Sequence, residues 1–140
     1  RTNIRYVTPE QLGEPLDLSV VDVSFISLKL VLPVIKNLLK PTGQVLCLIK
    51  PQFEAGKDKV GKKGVVREKS THKEVLDNFV ALADELQFKI LGLTFSPVKG
   101  PEGNIEFLAH LTLDDADGIR PDTALVVESA HQTLDKGENS

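Results

Sequence analysis

Methionine is missing altogether from the 140 residues, and cysteine occurs once, as Cys47. A single cysteine excludes an internal disulfide and suits a reducing, cytoplasmic compartment. With no methionine and Arg1 in first place, the chain reads as a piece of a longer protein. No apolar run approaches the ~18–20 residues of a membrane span, and no secretory leader opens the chain. Neither sign of charge dominates. Seventeen Lys and Arg stand against twenty Asp and Glu, a net charge of −3, so there is no global nucleic-acid signature. His72, His110 and His131 lack metal-ligand spacing, and no metal is expected. No nucleophile–base arrangement, internal repeat or low-complexity tract is present. What remains, at 41% hydrophobic and 26% charged, fits one globular domain with a real core.

Taken in order, residues 1–17 are polar and turn-rich, and Ile4, Tyr6 and Val7 could close off a preceding strand. Leu18-Ser19-Val20-Val21 reads as a short buried strand ending at Asp22. Ser24 or Ser27 can cap the helix that follows. Leu28, Val31, Leu32, Ile35, Leu38 and Leu39 recur at helical spacing, with Pro33 placed to kink the helix or tighten its start. Lys40-Pro41-Thr42-Gly43 ends it. Val45-Leu46-Cys47-Leu48-Ile49 is apolar on both alternations, the pattern of a central parallel strand buried on both faces. Residues 18–49 thus make one right-handed βαβ unit. Pro51 donates no backbone hydrogen bond and restricts Lys50 to extended geometry, so the ladder should stop there.

Between 57 and 69 a pliable loop concentrates Lys57, Lys59, Lys62, Lys63, Arg67 and Lys69 against Asp58 and Glu68. It is either a solvated mobile loop or a phosphate-contacting one. Ser70 or Thr71 can cap the next helix, whose stripe is Val75, Phe79, Leu82 and Leu86, widened by Leu76, Val80 and Ala83. Gln87 to Phe95 gives another strand. After a loop of turn residues, Asn104 to Leu113 alternates, with Ile105, Phe107, Ala109, Leu111 and Leu113 on one face. That loop is too short for a crossover helix, so the last strand should run antiparallel. Thr123 to Leu134 is a short helix with Leu125, Val126, Ala130 and Leu134 inward, and Lys136 to Ser140 a disordered tail.

Strand direction brings three charges to one rim. Asp22 and Lys50 end parallel strands, and Glu106 begins an antiparallel one, so all three lie at the same sheet edge. In adjacent strands their backbones are roughly 5–10 Å apart. Open α/β sheets bind ligands at that edge. A lysine between two carboxylates keeps its proton, is held in place, and can stabilise a developing alkoxide. The alternative is a structural ion pair, with Lys50 only snorkelling off a strand end.

Four segments stand in order: Asp22-Val23-Ser24-Phe25-Ile26-Ser27-Leu28, Lys50-Pro51-Gln52-Phe53-Glu54-Ala55-Gly56, Gly64-Val65-Val66-Arg67, and Ser96-Pro97 through Gly100 to Gly103-Asn104-Ile105-Glu106. Together they resemble the TlyA family of ribosomal RNA 2′-O-methyltransferases, whose members also go by the name haemolysin. The catalytic domain of that family is similar to the FtsJ-type ribose methyltransferases. The resemblance covers about residues 1–113, leaving 114–140 as a C-terminal linker, short helix and polar tail. It implies an α/β fold, the C-terminal half of a Rossmann-like methyltransferase sheet with parallel strands and a final antiparallel strand.

It also implies S-adenosylmethionine as cofactor and ribosomal RNA or a ribosomal subunit as partner. FtsJ-type enzymes use a Lys-Asp-Lys-Glu tetrad at the ribose 2′-hydroxyl, and Asp22, Lys50 and Glu106 match its last three members. The first lysine, the Gly-rich cofactor loop and an S4-like RNA-binding domain would lie upstream of Arg1. The chain alone is therefore expected to be inactive and to bind the cofactor poorly. Asp22 would also face the cofactor. Phe25 would stack near it or else fill the core. The loop cations Lys57, Lys59, Lys62, Lys63 and Arg67 would contact RNA. Asn104 would either bond a ribose or cap the turn before its strand. An exposed sheet edge would invite a homodimer. Two other functions remain open: a non-catalytic RNA-binding module, and a membrane-active haemolysin, for which no amphipathic or spanning segment speaks.

Overall fold

A computed structural model of the chain describes residues 16–22, 26–56, 59–61 and 64–134. The helical spacing after Ser27 forms helix α1 (Leu28–Leu38), which buries Leu28, Val31, Leu32, Ile35 and Leu38 and carries Pro33 inside it. Ser27 caps it, its hydroxyl accepting from the Lys29 N–H at 3.1 Å; Ser24 lies outside the described residues. Helix α1 connects strand β1 (Leu16–Val21) to a parallel neighbour, β2 (Leu39–Ile49). The strand begins at Leu39, well ahead of the apolar run at Val45, because Leu16 of β1 already pairs with Leu39.

Pro51 stops that strand as its chemistry requires. Lys50 is extended, with φ −111° and ψ 98°, and Pro51 opens a single turn, α2 (Pro51–Glu54). Helix α3 (Lys69–Glu85) buries Val75, Leu76, Phe79 and Ala83, together with Thr71 and His72. Its N-cap is Glu68 rather than Ser70 or Thr71. Strand β3 (Lys89–Phe95) follows, then a short 3-10 turn, then β4 (Phe107–Thr112). Helix α4 (Thr123–Leu134) closes the described chain.

The sheet order is β1-β2-β4-β3, and β4 runs antiparallel to both its neighbours. The fold is therefore the mixed α/β sheet expected. One correction concerns β2. It is central, but its pairing with β4 is antiparallel, and the described residues cover only one of its faces. Val45, Cys47 and Ile49 are at most 1% exposed, whereas Leu46 is 40% exposed. On β1, Val21 is buried while Val20 is 70% exposed. The cause is that α1, α3 and α4 contribute to one core cluster, which takes Val45, Cys47, Ile49, Phe107, Ala109 and Leu111 from a single side of the sheet.

A second correction concerns α4. Leu125 faces outward at 62% exposure; Val127, Ala130 and His131 are buried, and Val126 and Leu134 pack against the core as expected. Among the described residues no helix is long and apolar enough to cross a membrane. Ile4, Tyr6, Val7 and the tail from Lys136 lie outside the described residues.

Candidate active site

The parallel strands β1 and β2 end at Val21 and Ile49, and Phe107 opens β4 directly opposite Ile49. Asp22, Lys50 and Glu106 are the next residues outward on these three adjoining strands. Lys50 and Glu106 are the residues immediately beyond the last β2–β4 pair, Ile49–Phe107. The Lys50 ammonium meets the Asp22 carboxylate at 2.5 Å. Its side chain is only 13% exposed, that of Asp22 52%, so the pair has a protected cation and an anion open to the rim.

Glu106 is 7% exposed. The Gln52 amide, on the turn after Lys50, donates to Glu106 Oε2 at 3.1 Å. On another side lies Gly100, where a Cβ would come within 2.6 Å of the Glu106 carboxyl carbon. A side chain at that position would have to displace the Glu106 carboxylate. The same turn carries Glu54, which reaches back to the segment behind Asp22. Its Oε1 accepts from the Leu28 N–H at 2.9 Å and from the Ser27 hydroxyl at 3.2 Å. Burial pushes the Glu54 carboxyl up, and the bonds from Leu28 and Ser27 oppose that shift. Burial, with a smaller contribution from the Glu54 charge, pushes the Cys47 thiol up to about 12, as befits a core residue.

Asn104, expected either to bond a ribose or to cap the turn before its strand, is held from inside the fold. It is 2% exposed, its Oδ1 accepting from the Val66 N–H at 3.0 Å and its Nδ2 donating to the Gly64 carbonyl at 2.9 Å. Its amide clamps the basic loop from inside and presents nothing to solvent. A second anchor is His72, fully buried, whose Nε2 meets the Val66 carbonyl at 2.9 Å and whose Nδ1 meets His131 Nε2 at 2.8 Å. Arg67 is exposed. Lys59 is paired with Glu74 of α3 at 2.5 Å. Phe25, Lys57, Lys62 and Lys63 lie outside the described residues. Among the described residues no group of three or more His, Cys, Asp or Glu could hold a metal ion.

Sequence reasoning missed Gln52, Glu54, Gly100 and the histidine pair. Gln52 and Glu54 stand in the motif that begins at Lys50, which was a signal of place but not of partner.

The family model described as FtsJ-like methyltransferase matches residues 1–113, most of the chain. The chain belongs to the FtsJ-like methyltransferase family. Within the FtsJ-like family it is 44% identical over 140 residues to a Bacillus subtilis (strain 168) protein provisionally named as the rRNA methyltransferase YqxC, covering 96% of this chain and 50% of that protein. It is 40% identical over 111 residues to the 16S/23S rRNA (cytidine-2′-O)-methyltransferase TlyA of Mycobacterium tuberculosis, covering 79% of this chain and 41% of that one. A solved structure from Streptococcus thermophilus, provisionally named a hemolysin, matches with a TM-score of 0.91 at 44% identity over 99% of this chain and 51% of that one. The FtsJ-like chain thus spans about half the length of the curated relatives it matches. The resemblance to TlyA proteins and the mixed α/β fold are both borne out by these matches.

Proposed function

We propose that the protein to which this chain belongs transfers a methyl group from S-adenosylmethionine to a ribose 2′-hydroxyl of ribosomal RNA, with Lys50 as the charged residue at the reacting oxygen. The observation that supports this most is the Lys50–Asp22 pair at 2.5 Å, with Glu106 on the neighbouring strand at the same sheet rim. A cation fixed on a rim of low exposure stabilises negative charge as a hydroxyl oxygen gives up its proton, and it needs no reorganisation to do so. Asp22 holds that cation, and Glu106 supplies a second fixed carboxylate beside it.

Cofactor chemistry suits the donors present. Asp22 leaves a half-exposed carboxylate at the carboxyl end of β1, where α/β sheets bind ligands and where a positively charged sulfonium would be favoured. When bound, S-adenosylmethionine supplies an electrophilic methyl group. Arg67 and Lys59, with Lys57, Lys62 and Lys63, would neutralise RNA phosphates beside the rim. The reading places the protein in the cytoplasm with the ribosome. It also includes self-association of the chain through an open sheet edge.

The test uses the full-length protein with methyl-labelled S-adenosylmethionine and ribosomal subunits, and digests the RNA to nucleosides for mass spectrometry. A 2′-O-methyl product is expected. Lys50→Ala should lower transfer at least ~10²-fold, the scale for removing a positioned electrostatic group, while calorimetry shows cofactor affinity nearly unchanged. No labelled product from the wild-type protein defeats the function. Wild-type turnover in the variant defeats the role of Lys50.

A further inference from the structure

Gln52 stands two residues after Lys50, in the turn α2. Its amide orientation follows from chemistry: a carboxylate only accepts, so the nitrogen must face Glu106, as it does at 3.1 Å. The amide oxygen is then buried with no hydrogen-bond partner. A buried, unsatisfied carbonyl costs stability, and an apolar side chain of the same size would avoid that cost. The bond that offsets it is the one to Glu106. Gly100 backs the same carboxylate, leaving Glu106 wedged between an amide and a backbone.

We propose that Gln52 is a positioning residue that aims the Glu106 carboxylate beside Lys50. This rests on the methyl-transfer reading given above. The groups set against the Glu106 carboxylate are Gln52 from α2 and Gly100 from the loop before β4; Lys50, at the end of the neighbouring β2, is held by Asp22 at the end of β1. Gln52 touches no reacting atom. It acts by denying Glu106 the freedom to swing, and small misplacements at such a site are expensive.

Three measurements on the full-length protein decide the matter. Gln52→Leu should lower kcat ~10- to 100-fold, the loss of one hydrogen bond to a charged group. KM for RNA and the melting temperature should stay near wild type, because the lost bond and the removed orphan oxygen offset each other. Gln52→Glu should behave differently. At low pH the introduced carboxyl is protonated and donates to Glu106 as the amide did, whereas at higher pH the two carboxylates repel. Its activity relative to wild type should therefore fall as pH rises.

The third measurement needs neither cofactor nor RNA. In crystal structures of the two proteins, the Glu106 carboxylate should leave its wild-type position in Gln52→Leu, because the amide that holds it is gone. Wild-type kcat in Gln52→Leu, parallel pH profiles for Gln52→Glu and wild type, or an unmoved Glu106 carboxylate would each overturn the proposal. So would a melting temperature that falls in step with activity, which assigns Gln52 to the fold. If the wild-type protein transfers no methyl group, the reading beneath the proposal fails, and the structural comparison alone still decides the Gln52–Glu106 contact.

Discussion

Glu54 ties the turn after Lys50 to the N-terminus of α1, and it does so as a largely buried carboxyl whose titration is displaced upward by that burial. The folded chain holds this proton more tightly than the unfolded chain does. The group therefore contributes stability fully below its ordinary value of 4.5, and the contribution is lost as pH rises through the raised folded value. Glu54→Gln keeps an acceptor for the Leu28 N–H and removes the titration. Urea unfolding between about pH 4 and pH 7 should show the variant gaining on wild type as pH rises. Parallel stability curves would contradict this account.

Helices α3 and α4 are joined by polar contacts as well as by packing. Thr123, at the start of α4, donates to Asp77 at 2.6 Å, and the Lys73 and Thr123 bonds hold the Asp77 carboxyl below its usual range. Deeper in, His72 meets His131 on α4 and the Val66 carbonyl of the loop. That carbonyl can only accept, so His72 carries a proton on Nε2. Replacing His72 by Leu should cost about 1–3 kcal/mol, the scale for leaving buried partners unpaired. It should also loosen the loop, so that trypsin cuts after the exposed Arg67 faster than in wild type. Unchanged cleavage would mean that Asn104 alone holds the segment.

Among the described residues the sheet is covered on one side, by α1, α3 and α4. Leu18, Val20 and Leu46 are 51%, 70% and 40% exposed, and they lie on the side that α1, α3 and α4 leave bare. Contiguous apolar surface of this kind drives association. The chain by itself should form dimers or larger species at micromolar concentration, read by light scattering. Val20→Thr with Leu46→Thr keeps strand propensity and should shift the mass towards the monomer. The stability change should stay within about 0.5 kcal/mol per site. An unchanged mass distribution would place the contact at the open sheet edge instead.

Much of this was legible in the chain. The spacing from Leu28 to Leu38 specified α1, because a 3.6-residue period leaves one apolar stripe. Pro51 specified the end of β2, because proline cannot extend a ladder. The short loop before Asn104 specified an antiparallel β4, and with it the shared rim of Asp22, Lys50 and Glu106. Tertiary structure alone decided which side of β2 is covered, since its residues are apolar on both alternations and local pattern cannot choose between them. It also turned Val127 rather than Leu125 inward, because the face of α4 is set by what α3 and β3 present to it. Asn104 reaches the loop across 38 residues, Glu54 reaches Leu28 across 26, and Gln52 reaches Glu106 across 54. Such contacts follow from how strands are ordered in space, which no local period encodes.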